Sequence, residues 1–133
     1  MRHGKPEGLH YLMLALWCAV AGVPVSAHHS AAAMYDADHS LTLTGHVFEF
    51  VWRNPHCFLY LDVDAGPFAG KRYVVEMSSL GVLGNNGWTK ATVQSGDVVR
   101  ITVLPARSGK AAGLCRDCPI RINGASVAAS VAK

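Results

Sequence analysis

Residues 41–52 read LTLTGHVFEFVW, and the order of apolar and polar positions in them decides the fold class. Leu41, Leu43 and Val47 alternate with Thr42, Thr44 and His46. Successive side chains of a strand point to opposite faces, so a period of two marks a strand with one buried face. Around Gly45 to Glu49 the phase changes, and Phe48, Phe50 and Trp52 then carry the apolar groups. A glycine inside a long strand, with a switch of buried face, predicts a bend or bulge.

Downstream the same period continues. Arg53-Asn54-Pro55 reads as a turn, because Asn-Pro starts turns and proline fixes φ. A second strand, His56 to Val63, puts Cys57, Leu59, Leu61 and Val63 on one face and His56, Phe58, Tyr60 and Asp62 on the other. Ala65 to Gly70 is a hairpin loop, and a third strand from Arg72 to Met77 groups Tyr73, Val75 and Met77. Ser78 or Ser79 can cap a short helix from Leu80 to Leu83, which Asn85-Asn86-Gly87 ends. Ser95-Gly96-Asp97 turns into a fourth strand, Val98 to Leu104, with Val99, Ile101 and Val103 inward. Pro105 to Pro119 reads as a Gly-rich loop, a short fifth strand holds Ile120 and Ile122, and the segment from Ala125 is expected to fray. A long bent first strand heading this order fits an all-β fold, a five-stranded OB-type barrel with one short helix between strands 3 and 4. Closure removes exposed edges. The rival is an open sandwich of similar strands.

Upstream, Arg2 and Lys5 precede an apolar run from Tyr11 to Val23, and Pro24 and Val25-Ser26-Ala27 follow it. That order reads as a secretory signal peptide, and the run is shorter than the roughly 20 residues a spanning helix needs. The expected organisation is a signal peptide over 1–27, a His-containing arm over 28–40, an OB-like domain over 41–127 and a tail over 128–133. The protein is then periplasmic or secreted, with a mature start at His28. The 133-residue chain carries a formal net charge of +3 without a basic stripe interleaved with aromatics, which argues against a nucleic-acid partner. No second apolar stretch reaches membrane length, so no membrane contact is expected after cleavage. G-x-S-x-G, H-E-x-x-H, P-loop and dinucleotide motifs are missing, and no two carboxylates pair as acid and base. The expectation is therefore a protein that is not an enzyme.

The chain resembles an uncharacterised family of small exported bacterial proteins. The matching pieces are Ala27-His28-His29-Ser30, Leu43-Thr44-Gly45, Trp52-Arg53-Asn54-Pro55-His56, Glu76-Met77-Ser78, Gly87-Trp88-Thr89 and Ser95-Gly96-Asp97-Val98-Val99. The resemblance implies an exported, mostly β domain and no established reaction. Cys57 and Cys115-Arg116-Asp117-Cys118 depart from that pattern.

Cleavage after Ala27 frees an α-amino group on His28. The amine, the ring Nδ1 and one further imidazole make a T-shaped three-nitrogen set that suits Cu(II). This locally resembles the histidine brace of lytic polysaccharide monooxygenases and of periplasmic copper carriers. His29 offers a competing mode, and His39, His46 and His56 are candidate completing ligands. Met34 and Met77 are soft donors for Cu(I), although Met77 continues the core face of Tyr73 and Val75. The plainer alternative is adventitious copper binding by a flexible tail.

The turn Trp52-Arg53-Asn54-Pro55-His56 offers an aromatic plate beside an imidazole and a guanidinium, with Tyr60 and Glu76 expected nearby. Such a corner can bind a small anion, a sugar or a peptide. Its plainer alternative is a structural corner, with Trp52 covering one barrel end and His56 bonding a backbone carbonyl. In an oxidising compartment Cys115 and Cys118 suit a local disulfide. Pro119 and a following strand argue against a redox motif at a helix N-terminus, and a zinc or copper site shared with Cys57 and His56 is the remaining option. Together these readings give a non-catalytic periplasmic binding protein, holding copper through His28. The alternative is an interaction module that binds a peptide, a glycan or an exported partner enzyme near Trp52 and His56. A copper-dependent oxidase fits least, since so short a chain leaves little substrate surface.

Overall fold

The computed structural model describes residues 31–128. Its first strand, β1 (Leu41–Val51), buries Leu43 and Val47 and leaves Thr42, Thr44 and His46 exposed. Against β2 (Phe58–Val63) its register shifts between Val47 and Glu49, which is the expected bulge. Gly45 has a separate task. It sits opposite Val63 of β2 and Val99 of β4 (Val98–Pro105), and a Cβ there would collide with the Asp62 carbonyl oxygen. At the bulge Phe48 stays exposed beneath the Arg72 guanidinium, whose Cζ is 3.2 Å from the ring centroid. Phe50 and Trp52 turn to the core instead.

The ring of strands then closes. β2 pairs antiparallel with β3 (Arg72–Glu76), and β3 pairs parallel with β5 (Ala112–Leu114). β5 pairs antiparallel with β4, and β4 returns antiparallel to β1 over Leu41 to His46. This is a closed five-stranded barrel, and the β1–β4 pairing rules out the open sandwich. The inward positions are those of the period-two pattern. Leu59, Leu61, Tyr73, Val75, Met77, Val99 and Ile101 are all fully buried, each stabilising the fold by roughly 1.5–3 kcal/mol. Between β3 and β4 lies a short helix (Leu80–Asn85). Ser79 caps it by accepting from the Val82 N–H at 3.4 Å, and Gly87 ends it at φ +81°.

Two sequence expectations need correction. The strand that closes the barrel is β5, inside the segment read as a Gly-rich loop, and not the strand of Ile120 and Ile122. Its three residues carry no β-branched side chain. At Gly113 a Cβ would lie 2.8 Å from Val103 Cγ2 and 2.9 Å from the Tyr73 hydroxyl, so close packing selected the glycine. Ile120 and Ile122 belong to β6 (Pro119–Ile122), which pairs with β4 on the residues that β5 leaves free. The segment from Ala125 does not fray at once: β7 (Ala125–Ala128) pairs with β6. Asn123 and Gly124, at φ +50° and +84°, form the two-residue turn between them, as Asn-Gly favours in hairpins. Trp88 Nε1 donates to the Ala128 carbonyl at 2.6 Å and fastens β7 to the barrel.

Candidate functional site

Glu76 ends β3, with Phe58 opposite on β2 and Leu114 opposite on β5. Its side chain is only 14% exposed. A carboxylate so nearly buried needs partners, and it has three. The Tyr35 hydroxyl donates to Oε2 at 2.9 Å, Arg116 Nη2 donates to Oε1 at 2.9 Å, and His56 Nδ1 lies 2.8 Å from Oε1. These groups come from three separate segments. The first turn presents His56, the loop after β5 presents Arg116, and the N-terminal arm presents Tyr35.

The arm docks through its backbone. A single helical turn, α1 (Ala31–Met34), leads into Tyr35, which forms a bridge with Ala106 just beyond β4. Asp36 N–H donates to the Pro105 carbonyl at 2.9 Å, and Arg107 N–H donates to that of Met34 at 3.0 Å. Tyr35 is 7% exposed. Burial first, and then the Glu76 hydrogen bond and charge, push its phenol up to about 12. It therefore remains a hydrogen-bond donor at any physiological pH. A hollow of about 390 Å³ opens between α1 and the loop after β4, lined by Met34, Tyr35, Arg107 and Lys110.

Cys115 and Cys118 form a disulfide, with Cα atoms 5.2 Å apart. The loop it closes is held to the end of β3 at several points. Cys115 N–H donates to the Glu76 carbonyl at 2.8 Å, and Ser78 Oγ donates to the Arg116 carbonyl at 3.3 Å. Cys57 is free and fully buried, its thiol directed at the Arg53 carbonyl at 3.7 Å. Burial raises that thiol above its usual range. With Cys115 and Cys118 bonded to each other, no metal site shared with Cys57 and His56 is formed.

This end of the barrel lies within a recognised family: DUF6152, a family of unknown function, matches residues 16–116. The chain belongs to the DUF6152 family. No curated protein and no solved structure matches it. The family span includes Tyr35, His56, Glu76 and Arg116, while Cys118, β6 and β7 lie beyond it.

The remaining expected site residues of this DUF6152 chain are dispersed. Trp52 packs on Phe50 with ring centroids 5.8 Å apart and covers the core, while His56 faces Glu76. Trp52 thus contacts the core aromatics and His56 the Glu76 carboxylate. Arg53 and Asn54 are exposed, with the Arg53 guanidinium 5.9 Å from the Phe58 ring, and the Asn54–Pro55 peptide is cis. Tyr60 is half-buried opposite Val74. His39 pairs with Asp36 at 2.8 Å, and His46 with Asp64 at 3.1 Å, both exposed. Met34 is exposed and Met77 fully buried. His28 and His29 lie outside the described residues, as does the expected signal peptide. Among the described residues no three His, Cys, Asp or Glu side chains gather as a metal site. The sequence reading missed Tyr35 and Arg116. Tyr35 had a signal, as the lone aromatic in a polar arm. Arg116 had none, since only the disulfide loop brings it to Glu76.

Proposed function

We propose that the protein is an exported, non-catalytic binding domain of the periplasm or cell exterior that takes its ligand at the barrel end around Glu76. In the sharper form the ligand is copper. His28, freed by cleavage after Ala27, supplies its amine and Nδ1, and His56 supplies a third nitrogen.

The observation that supports this is the shared carboxylate: Glu76 holds Tyr35 of the arm and faces His56 Nδ1. The arm that carries His28 is thereby anchored at the same carboxylate as His56. With Nδ1 turned to Glu76, Nε2 is the ring nitrogen left for a metal, and carboxylates orient ligating imidazoles in this way. Three nitrogens in such a set suit Cu(II), which the domain would hold or carry for a partner.

The test is a copper titration of protein that begins at His28. One Cu(II) should bind per chain. One residue added before His28 should abolish binding, and Glu76→Gln should weaken it about 10–100-fold. Equal affinity with and without the added residue sinks the reading.

A second reading has its own support. Arg53 brings an exposed guanidinium to the turn beside His56, and the exposed Lys110 lines the hollow under the arm. This charge suits an acidic peptide or the acidic surface of an exported partner protein. It predicts that Arg53→Gln combined with Lys110→Gln abolishes capture of a Glu-rich peptide while copper affinity is retained.

A further inference from the structure

We infer that the outer face of β1, β4, β6 and β7 binds a phosphate-type oxyanion between Arg100 and Arg121. Strand register sets four side chains in one row. Thr44 stands opposite Arg100, Arg100 opposite Arg121, and Arg121 opposite Ser126. One step along the same face Thr42 stands opposite Thr102, their hydroxyls 2.8 Å apart. A hollow of about 440 Å³ opens on these side chains, lined by Thr42, Arg100, Thr102, Arg121 and Ser126.

The two arginines are exposed, and among the described residues neither guanidinium has a hydrogen bond or ion pair. The neighbouring carboxylates are engaged elsewhere, Asp64 with His46 and Asp97 with Asn123. Like charges directly opposite on paired strands repel, so this placement destabilises the sheet unless an anion lies between them. No carboxylate lines the hollow, so it presents only cations, hydroxyls and apolar carbon. Guanidinium groups hold a tetrahedral oxyanion through paired N–H bonds, and threonine and serine hydroxyls can donate the remaining ones. The occupant is therefore a phosphate or sulfate group, free in solution or borne by a lipid headgroup. The site uses none of Tyr35, His56, Glu76 and Arg116, so it stands or falls separately from the copper reading.

The experiment titrates inorganic phosphate into the protein at constant ionic strength and follows backbone amide shifts by NMR. Saturable shifts should centre on Thr102, Arg100, Arg121 and Ser126. Arg100→Gln or Arg121→Gln should weaken binding at least tenfold, and Arg72→Gln should leave it unchanged. A second readout is the melting temperature. Arg121→Gln should raise that of the phosphate-free protein and cancel the rise that phosphate gives the unchanged protein. Parallel arms use vesicles of phosphatidylglycerol and of phosphatidylcholine. Binding to the anionic vesicles that phosphate competes away supports a lipid source, and phosphate binding without vesicle binding supports a soluble one. Non-saturable shifts, equal shifts with chloride, or unchanged affinity in both arginine variants overturns the proposal.

Discussion

Glu76 is held almost out of solvent by a phenol, a guanidinium and an imidazole from three chain segments. Removing its charge leaves all three donors in place with a weaker acceptor. Glu76→Gln should therefore lower unfolding stability by about 1–3 kcal/mol, read from urea denaturation, and Tyr35→Phe should cost less, since it removes a single bond. Equal stability of Glu76→Gln and the unchanged protein would show that the cluster does not hold the arm. Gly45 makes the opposite kind of demand, for empty space. Its neighbour is the Asp62 backbone, which cannot swing aside as a flexible side chain could. Gly45→Ala should lower stability by about 1–3 kcal/mol or more, through forced separation of β1 and β2. Melting temperature is the check, and an unchanged value would contradict the close approach.

Among elements, the loop from Leu114 to Pro119 has a role larger than its length. It joins β5 to β6 along β4, and it carries Arg116 to Glu76. The disulfide spans a sequence separation of only 3, and small loops lose little entropy on closure. Reduction should cost about 2 kcal/mol or less of global stability. Its larger effect should be local, with the Arg116 amide exchanging faster while the β1–β2 amides stay protected. Hydrogen exchange with and without reductant separates the two. Uniform acceleration across the barrel would mean that the loop is part of the cooperative core.

At the scale of the molecule, closure ties stability to two buried phenols. Tyr35 and Tyr73 are each pushed from 10.0 up to about 12, with burial the first cause in both. The unfolded chain releases these protons near pH 10, and the folded chain keeps them until about pH 12. Between those values the unfolded state binds fewer protons, so stability falls as pH rises. Below pH 10 these groups leave stability unchanged. The Cys57 thiol, also raised by burial from its ordinary 9.0, starts the decline as it ionises in the unfolded chain, so the urea midpoint should fall slightly from about pH 9 and more steeply between pH 10 and 12, with a shallower drop in Tyr35→Phe. A midpoint that stays flat to pH 12 would contradict the burial of these rings.

The sequence by itself determined the barrel's strands wherever apolar and polar residues alternate, from Leu41 through Val103, and also the bulge, the capped helix and the Cys115–Cys118 pairing. Those features depend on neighbours close along the chain, and local patterning records them. Tertiary structure alone decided which strand closes the ring. Ala112–Leu114 has no strand propensity of its own and becomes a strand because β3 and β4 leave a gap that only a narrow backbone with Gly113 can fill. The same holds for the convergence of Tyr35, His56 and Arg116 on Glu76, and for the facing of Arg100 and Arg121. Each of those juxtapositions joins residues remote in sequence. Register and loop docking, set by the burial of the whole core, bring them together.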